Sequence, residues 1–261
     1  MAKPRALILT GYGINCDKET AEAFNRAGAI AERVHINELS GHSKKLGDYQ
    51  MLAFPGGFGH GDAISAGKPL SIMLRTALTE DIQEFRKAKK PIIGICNGFQ
   101  MMVKAGLLPG LDNDYSTQTV TLFRNDSGRF EERWTYLEGQ DSKCIWTRGV
   151  KSIYLPCRHG EGKFIPKDDA LLKRLNDGKL VVFRYTGKNG EKNPGYPCNP
   201  NGSVEDIAAI CDPSGLIFGL MPHPEAYIDG VQHPCWTREY LKKEGDGMQV
   251  FRNGVRYARK L

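Results

Sequence analysis

The stretch "PIIGICNGFQMM", residues 91–102, constrains this chain more than any other. "PIIGI" is apolar throughout, the pattern of a strand buried on both faces of a parallel sheet, and "GFQMMVKAG" has helix composition with Gly106 as its stop. Between them Gly94-Ile95-Cys96-Asn97-Gly98 spells G-x-C-x-G, which in that context is a sharp strand-to-helix turn. Such a turn forces its central residue into a strained conformation, while the flanking glycines let the helix pack closely on neighbouring strands. The Cys96 thiol is then presented at the top of a sheet. The helix N-terminus behind it favours thiolate, and the backbone N–H of Asn97 points where an oxyanion would form. Taken alone, the motif equally fits a small buried hydrophobe at the end of a core strand.

The surrounding pattern supplies the sheet. "RALILT" (5–10) reads as a first strand, "CDKETAEAFNRAG" as an amphipathic helix closed by Gly28, and "IAERVHI" as a second strand. "QMLAF" (50–54) is a third strand ended by the turn "PGGFGHGD", and "LSIMLRTALTEDIQEFRKA" reads as one long amphipathic helix. This alternation is the signature of βαβ units. Beyond Pro109 the polar, alternating segments "TQTVTLFRN", "RFEERWTYLE", "CIWTR" and "SIYLP" suggest antiparallel strands, and "KLVVFRY", "DIAAICD" and "GLIFGLMP" read as three more strands. The expected class is α/β, a mainly parallel central sheet flanked by helices, with added antiparallel strands. At 261 residues and 40% apolar, with no repeat or linker, the chain reads as a single domain over 1–261, with 228–261 a C-terminal extension of unassigned role.

Composition narrows the function by exclusion. The net charge of +6 comes from basic residues that are spread rather than striped, so nucleic acid is not an expected partner. The one basic cluster, "FRNGVRYARKL", fits a helix surface or a docking segment. No stretch approaches the roughly 18 apolar residues of a membrane span and the N-terminus carries no cleavage pattern, so no membrane association and a cytoplasmic location are expected. Seven scattered cysteines with no C-x-x-C pair read as thiols, and no metal site is expected. Residues 61–69, "GDAISAGKP", imitate a phosphate loop with one residue too many and Pro69 where a hydroxyl belongs. "GYGINC" imitates half a dinucleotide fingerprint, with Cys16 replacing its last glycine. His233 and Cys235 with Cys198 lack a fourth metal ligand.

A nucleophilic thiol needs a base, and the base an orienting group. "GLMPHPEAY" offers both, because His223 and Glu225 follow a strand directly at a spacing of two, which in extended backbone turns both side chains the same way. Pro222 and Pro224 restrict the backbone around His223 to extended geometry. In isolation, His-Pro-Glu is also an ordinary surface turn. In "FPGGFGHGD", a Gly-Gly turn at a strand's carboxyl end lets backbone N–H groups approach a ligand, and Gly57 is the candidate second oxyanion donor.

Together, "PGGFGHGD", "GICNGFQ", "RND" with "GRFEERW", "HGEGKF" and "NPNGSVEDIAAICD" with "GLMPHPE" resemble the glutaminase subunit or domain of phosphoribosylformylglycinamidine synthase, a triad-type class I glutamine amidotransferase. The resemblance runs from "GINCD" to Tyr227. It implies a nucleophile at Cys96, a base at His223, a triad glutamate at Glu225, an oxyanion hole at Gly57 and Asn97, and substrate contacts from Gln100, His159 and Gly160. It further implies hydrolysis of L-glutamine to glutamate and ammonia without a cofactor in this chain. Ammonia would pass to a synthetase subunit that converts formylglycinamide ribonucleotide to formylglycinamidine ribonucleotide and holds the ATP and magnesium, with a small third subunit as a further partner. "GYGINCD" is longer than the family's usual loop, and "DNDYSTQTV" and "NGEKNPGYP" look like insertions. Three alternatives stay open: a glutaminase serving another amidotransferase, a different cysteine hydrolase on a similar fold, and a catalytically dead regulatory module.

Overall fold

The apolar runs assemble as their pattern requires. A computed structural model describes residues 2–59, 65–238 and 243–261. Strands β1 (Arg5–Thr10), β2 (Ile30–His35), β3 (Met51–Phe54), β4 (Ile92–Ile95), β5 (Val120–Arg124), β6 (Glu131–Gly139), β7 (Ser152–His159), β8 (Glu161–Pro166), β9 (Val181–Thr186), β10 (Ile207–Cys211) and β11 (Ile217–Leu220) alternate with helices α1 (Asp17–Arg26), α2 (Ile36–Ser40), α3 (Lys68–Ala77), α4 (Thr79–Lys87), α5 (Asn97–Ala105), α6 (Asp169–Asp177) and α7 (Met248–Ala258). Among the described residues the main sheet runs β2-β1-β3-β4-β11-β10-β9-β6-β7, and β5 pairs with β8 in a second, two-stranded sheet. Pairing is parallel from β2 through β11 and antiparallel from β11 to β7, as the change of pattern after Pro109 suggested. β4 is flanked on both sides, by β3 and β11, and all four of its residues are buried.

Two segments differ from their sequence patterns. The long helix expected over "LSIMLRTALTEDIQEFRKA" is two helices, α3 and α4, parted at Leu78 with φ −124° and ψ 10°. The Thr79 hydroxyl donates to the carbonyls of Arg75 at 2.7 Å and Leu74 at 3.3 Å, an alternative acceptor set that competes with continued helix. "CIWTR", expected as a strand, forms a 3-10 turn over Ile145–Thr147. Its Trp146 is fully buried and its Nε1 donates to Leu216 O at 2.9 Å, so its apolar character serves a plug rather than a sheet face. "HGEGKF" spans the end of β7 and the start of β8, joined at Gly160. Part of the turn "PGGFGHGD" and of the stretch 61–69 lies at residues 60–64, outside the described residues.

Residues 228–261, unassigned from sequence, end in α7, whose Val250, Phe251 and Val255 are buried in the main core. Phe251 meets Phe24 of α1 edge to face at 5.2 Å. Asn253 donates to the carbonyls of Trp146 at 3.0 Å and Arg148 at 2.9 Å, fastening the plug to the tail. No helix among the described residues is long and apolar enough to cross a membrane. All seven cysteines are free thiols.

Candidate active site

Cys96 sits between β4 and α5 with φ 50° and ψ −106°, a backbone conformation side chains rarely adopt. The glycines around it are there for space: a Cβ on Gly98 would lie 1.9 Å from Phe54 O, and one on Gly94 2.3 Å from Met102 Sδ. They let α5 settle directly on β3 and β4, with its positive end at the thiol. Asn97 contributes the first backbone N–H of that helix. Cys96 is buried, and its Sγ donates to Arg158 O at 3.5 Å.

β11, next to β4 in the sheet, delivers the second part. His223 and Glu225 follow it and are buried, and His223 Nδ1 meets Glu225 Oε1 at 2.6 Å. The backbone N–H of His223 donates to Pro156 O of β7 at 2.8 Å, which fixes the loop against the antiparallel half. His223 Nε2 makes no hydrogen bond to a protein group in good geometry. Burial opposes charging the ring, but the Glu225 carboxylate, then the thiols of Cys96 and Cys16, outweigh it and raise the pKa well above the usual histidine value. The imidazolium form is therefore favoured, the state that a thiolate–imidazolium pair would need.

Gly57 ends the turn after β3 with φ 151°, and it lines the same cavity as Cys96. A Cβ there would lie 2.6 Å from Gly13 O and 2.8 Å from Ile14 Cα. "GYGINC", the imitation of a dinucleotide fingerprint, is thus a brace for this turn. Ile14 bridges Gly57, Phe58 N–H donates to Gly13 O at 2.8 Å, and Cys16 N–H donates to Gly56 O at 3.2 Å. Gly56 itself leaves room for the base, since a Cβ on it would lie 2.7 Å from His223 Cε1.

A cavity of about 350 Å³ opens on Cys96, lined also by Gly57, Gln100, His159, Gly160 and Glu161. Arg124, Arg129, Arg158, Phe58 and Phe130 complete much of its wall, and sequence reasoning did not find them. Gln100 lines it with its amide already engaged, accepting from Asn97 Nδ2 at 3.0 Å and donating to Glu161 O. His159 is buried, and burial, then the charge of His223, lowers its pKa to about 4, so the ring is neutral near pH 7. Asn125 Nδ2 donates to two carbonyls, which leaves its Oδ1 to accept from His159 Nδ1 at 3.1 Å. That bond places the proton on Nδ1 and leaves Nε2 an acceptor. Asn125 of "RND" and Ser203 of "NPNGS" are scaffold: Asn125 also takes Gly162 N–H at 3.1 Å, and Ser203 Oγ takes Phe164 N–H at 2.9 Å.

Residues 3–258 match the family model described as a CobB/CobQ-like glutamine amidotransferase domain. The chain belongs to this amidotransferase family. Among its relatives, the phosphoribosylformylglycinamidine synthase subunit PurQ of Dehalococcoides mccartyi is 49% identical, with all of both chains covered. The subunit of the same name from Methanococcus maripaludis (strain S2 / LL) is 41% identical over 98% of each chain. The structure of PurLQS from Thermotoga maritima contains a chain with a TM-score of 0.74 and 29% identity, covering 98% of this chain and 99% of that one. In this amidotransferase Cys96 and Gly57 line the cavity, and the His223–Glu225 couple lies outside that lining.

Proposed function

We propose that this chain is the glutaminase subunit of phosphoribosylformylglycinamidine synthase, hydrolysing L-glutamine through Cys96, His223 and Glu225 and giving the ammonia to a synthetase subunit. The observation that carries this reading is the buried, positive-φ Cys96 at the floor of a cavity, with the His223–Glu225 couple behind it. The charged wall suits a zwitterion: Arg124, Arg129 and Arg158 can face the α-carboxylate and Glu161 the α-ammonium, while His159 offers an acceptor at Nε2. Gln100 then acts by shaping the pocket beside Asn97 as much as by touching substrate.

In the reaction, the Cys96 thiolate attacks the side-chain amide carbon of glutamine, and its C=O electrons move onto oxygen. The N–H groups of Gly57 and Asn97 stabilise that oxyanion, each by a few kcal/mol. His223 imidazolium gives its proton to the leaving nitrogen, the C–N bond breaks, and ammonia departs from a thioester on Cys96. His223, now neutral, takes a proton from water as it attacks the thioester, which releases glutamate and restores thiolate and imidazolium. Glu225 holds the ring throughout.

This half needs no cofactor; ATP and magnesium belong to the synthetase, where the ribonucleotide is amidated, and the complex acts in the cytoplasm. A small third subunit completes the assembly. The test is glutamate release by the purified chain, alone and with saturating synthetase, ATP and ribonucleotide. Partner-stimulated release that vanishes in Cys96→Ala, with ammonia-supported synthesis intact, is expected. Glutamine-dependent synthesis at the normal rate in Cys96→Ala would sink the reading.

A further inference from the structure

Cys16 lies far from the triad in sequence but beside it in space. One ligating atom each from Cys16, His223 and Glu225 lies within 4.8 Å of the others. A tetrahedral zinc, with Zn–S of about 2.3 Å and Zn–N or Zn–O of about 2.0–2.2 Å, holds its donors roughly 3.3–3.6 Å apart, so modest side-chain movement closes the set. One buried atom of the trio, Glu225 Oε2, makes no hydrogen bond. Gly56 keeps the space between the donors free, since a Cβ there would lie 3.3 Å from Cys16 Sγ and 3.3 Å from His223 Nδ1. His223 and Glu225 are buried, whereas Cys16 is partly exposed and gives an ion its way in.

We propose that Cys16, His223 and Glu225 form an inhibitory Zn²⁺ site on the back of the triad. A thiolate, an imidazole and a carboxylate make a set that suits zinc and is too soft and nitrogen-rich for magnesium or calcium. On binding, Cys16 loses its thiol proton and zinc takes the place of the proton that His223 shares with Glu225. The fourth position falls to water. With its ring held by the metal the base cannot serve, and hydrolysis stops until a chelator removes the zinc.

The inhibition rests on the glutaminase reading; the binding does not, and calorimetry measures it separately. The full-length chain is titrated with metal-buffered ZnCl₂, and glutamate release by the chain with its synthetase is followed at the same free zinc. One zinc per wild-type chain is expected, with inhibition reversed by EDTA. Cys96→Ala keeps the zinc, while Cys16→Ala and Cys16→Ser each weaken it at least about tenfold and raise the half-inhibiting zinc by the same factor. The serine variant keeps the side chain's size should the alanine variant fail to fold. Wild-type zinc affinity in both Cys16 variants, or binding lost only in Cys96→Ala, overturns the site. Cys16-dependent binding in a chain that never releases glutamate would count against the glutaminase reading alone.

Discussion

Gly57→Ala isolates the oxyanion turn. At φ 151° a Cβ costs about 1–3 kcal/mol of backbone strain, and its contacts of 2.6 Å with Gly13 O, 2.8 Å with Ile14 Cα and 2.9 Å with Asn15 N are all with backbone, which cannot rotate away. The turn must therefore shift, and the shift carries the Gly57 N–H off the cavity wall. Loss of one oxyanion donor typically lowers kcat by about 10²–10³, or roughly 2.7–4 kcal/mol of transition-state stabilisation. Gly160→Ala is the matched control: it lines the same cavity, its φ is ordinary, and a Cβ there meets nothing within 4 Å. Both variants are assayed for glutamate release and for ammonia-supported synthesis in the complex, with circular dichroism to confirm folding. The expected result is a kcat drop of about 10²–10³ for Gly57→Ala with ammonia-supported synthesis retained, and at most a change in KM for Gly160→Ala. A folded Gly57→Ala with normal kcat would refute the oxyanion role, and equal losses in both activities would assign Gly57 to assembly.

Other consequences are as direct. Glu225→Gln keeps an orienting acceptor for His223 but loses the charge that outweighs burial, so hydrolysis should fall less than in Cys96→Ala and the pH–rate profile of kcat should lose activity at lower pH than wild type; an unmoved profile removes that electrostatic role. His159 has a folded pKa of about 4 against 6.5 unfolded, so the unfolded chain binds the extra proton between those values and stability falls as pH drops through that window. Wild type should lose about 2 kcal/mol from this group between pH 7.5 and 5, and urea unfolding of His159→Gln should show a correspondingly shallower slope; identical slopes contradict the buried neutral ring. Phe251→Ala should cost about 3–5 kcal/mol, because the ring is fully buried against Phe24; a loss below about 1 kcal/mol in urea unfolding would mean that α7 is not part of the core.

The parts legible in the sequence were those whose chemistry is local. G-x-C-x-G after an apolar strand carries its own geometry, because Gly94 and Gly98 are needed wherever a helix lies directly on the strands beside it. His-x-Glu after the last core strand was legible for a similar reason, although Glu225 enters a 3-10 turn rather than continuing extended. What stayed hidden depended on distant partners. "CIWTR" alternates like a strand, yet Trp146 turns inward because α7 offers Gly254, where a Cβ would lie 2.1 Å from Trp146 Cζ3, and the carboxamide of Asn253. The break at Leu78 carries no proline or glycine to announce it. The arginines of the cavity wall sit on or near β5, β6 and β7, and only pairing of β6 with β7, and of β5 with β8, brings them to one rim. Cys16 looked like a broken nucleotide motif because nothing local says that the loop folds back onto Gly56.

The arrangement divides the chemistry between two faces of one residue. The cavity wall includes Cys96 and Gly57 but not the His223 ring, while His223, Glu225 and Cys16 cluster on the side where Gly56 leaves space. In the proposed reaction glutamine reaches Cys96 from the cavity, and His223 meets it at the reacting amide nitrogen beside the sulfur. Changes to the wall alter how the substrate is held and appear first in KM, whereas changes to the rear cluster leave the substrate's contacts alone and appear in kcat. Zinc on the rear cluster belongs to the second kind. It does not occupy the glutamine pocket, so raising glutamine should leave the half-inhibiting zinc concentration unchanged, whereas zinc held by Cys96 in the cavity would be displaced by substrate. The two faces meet at the reacting centre, where the Cys96 sulfur and the His223 ring both reach the glutamine amide, so a change at Cys96 should disturb both while each face can otherwise be tuned alone.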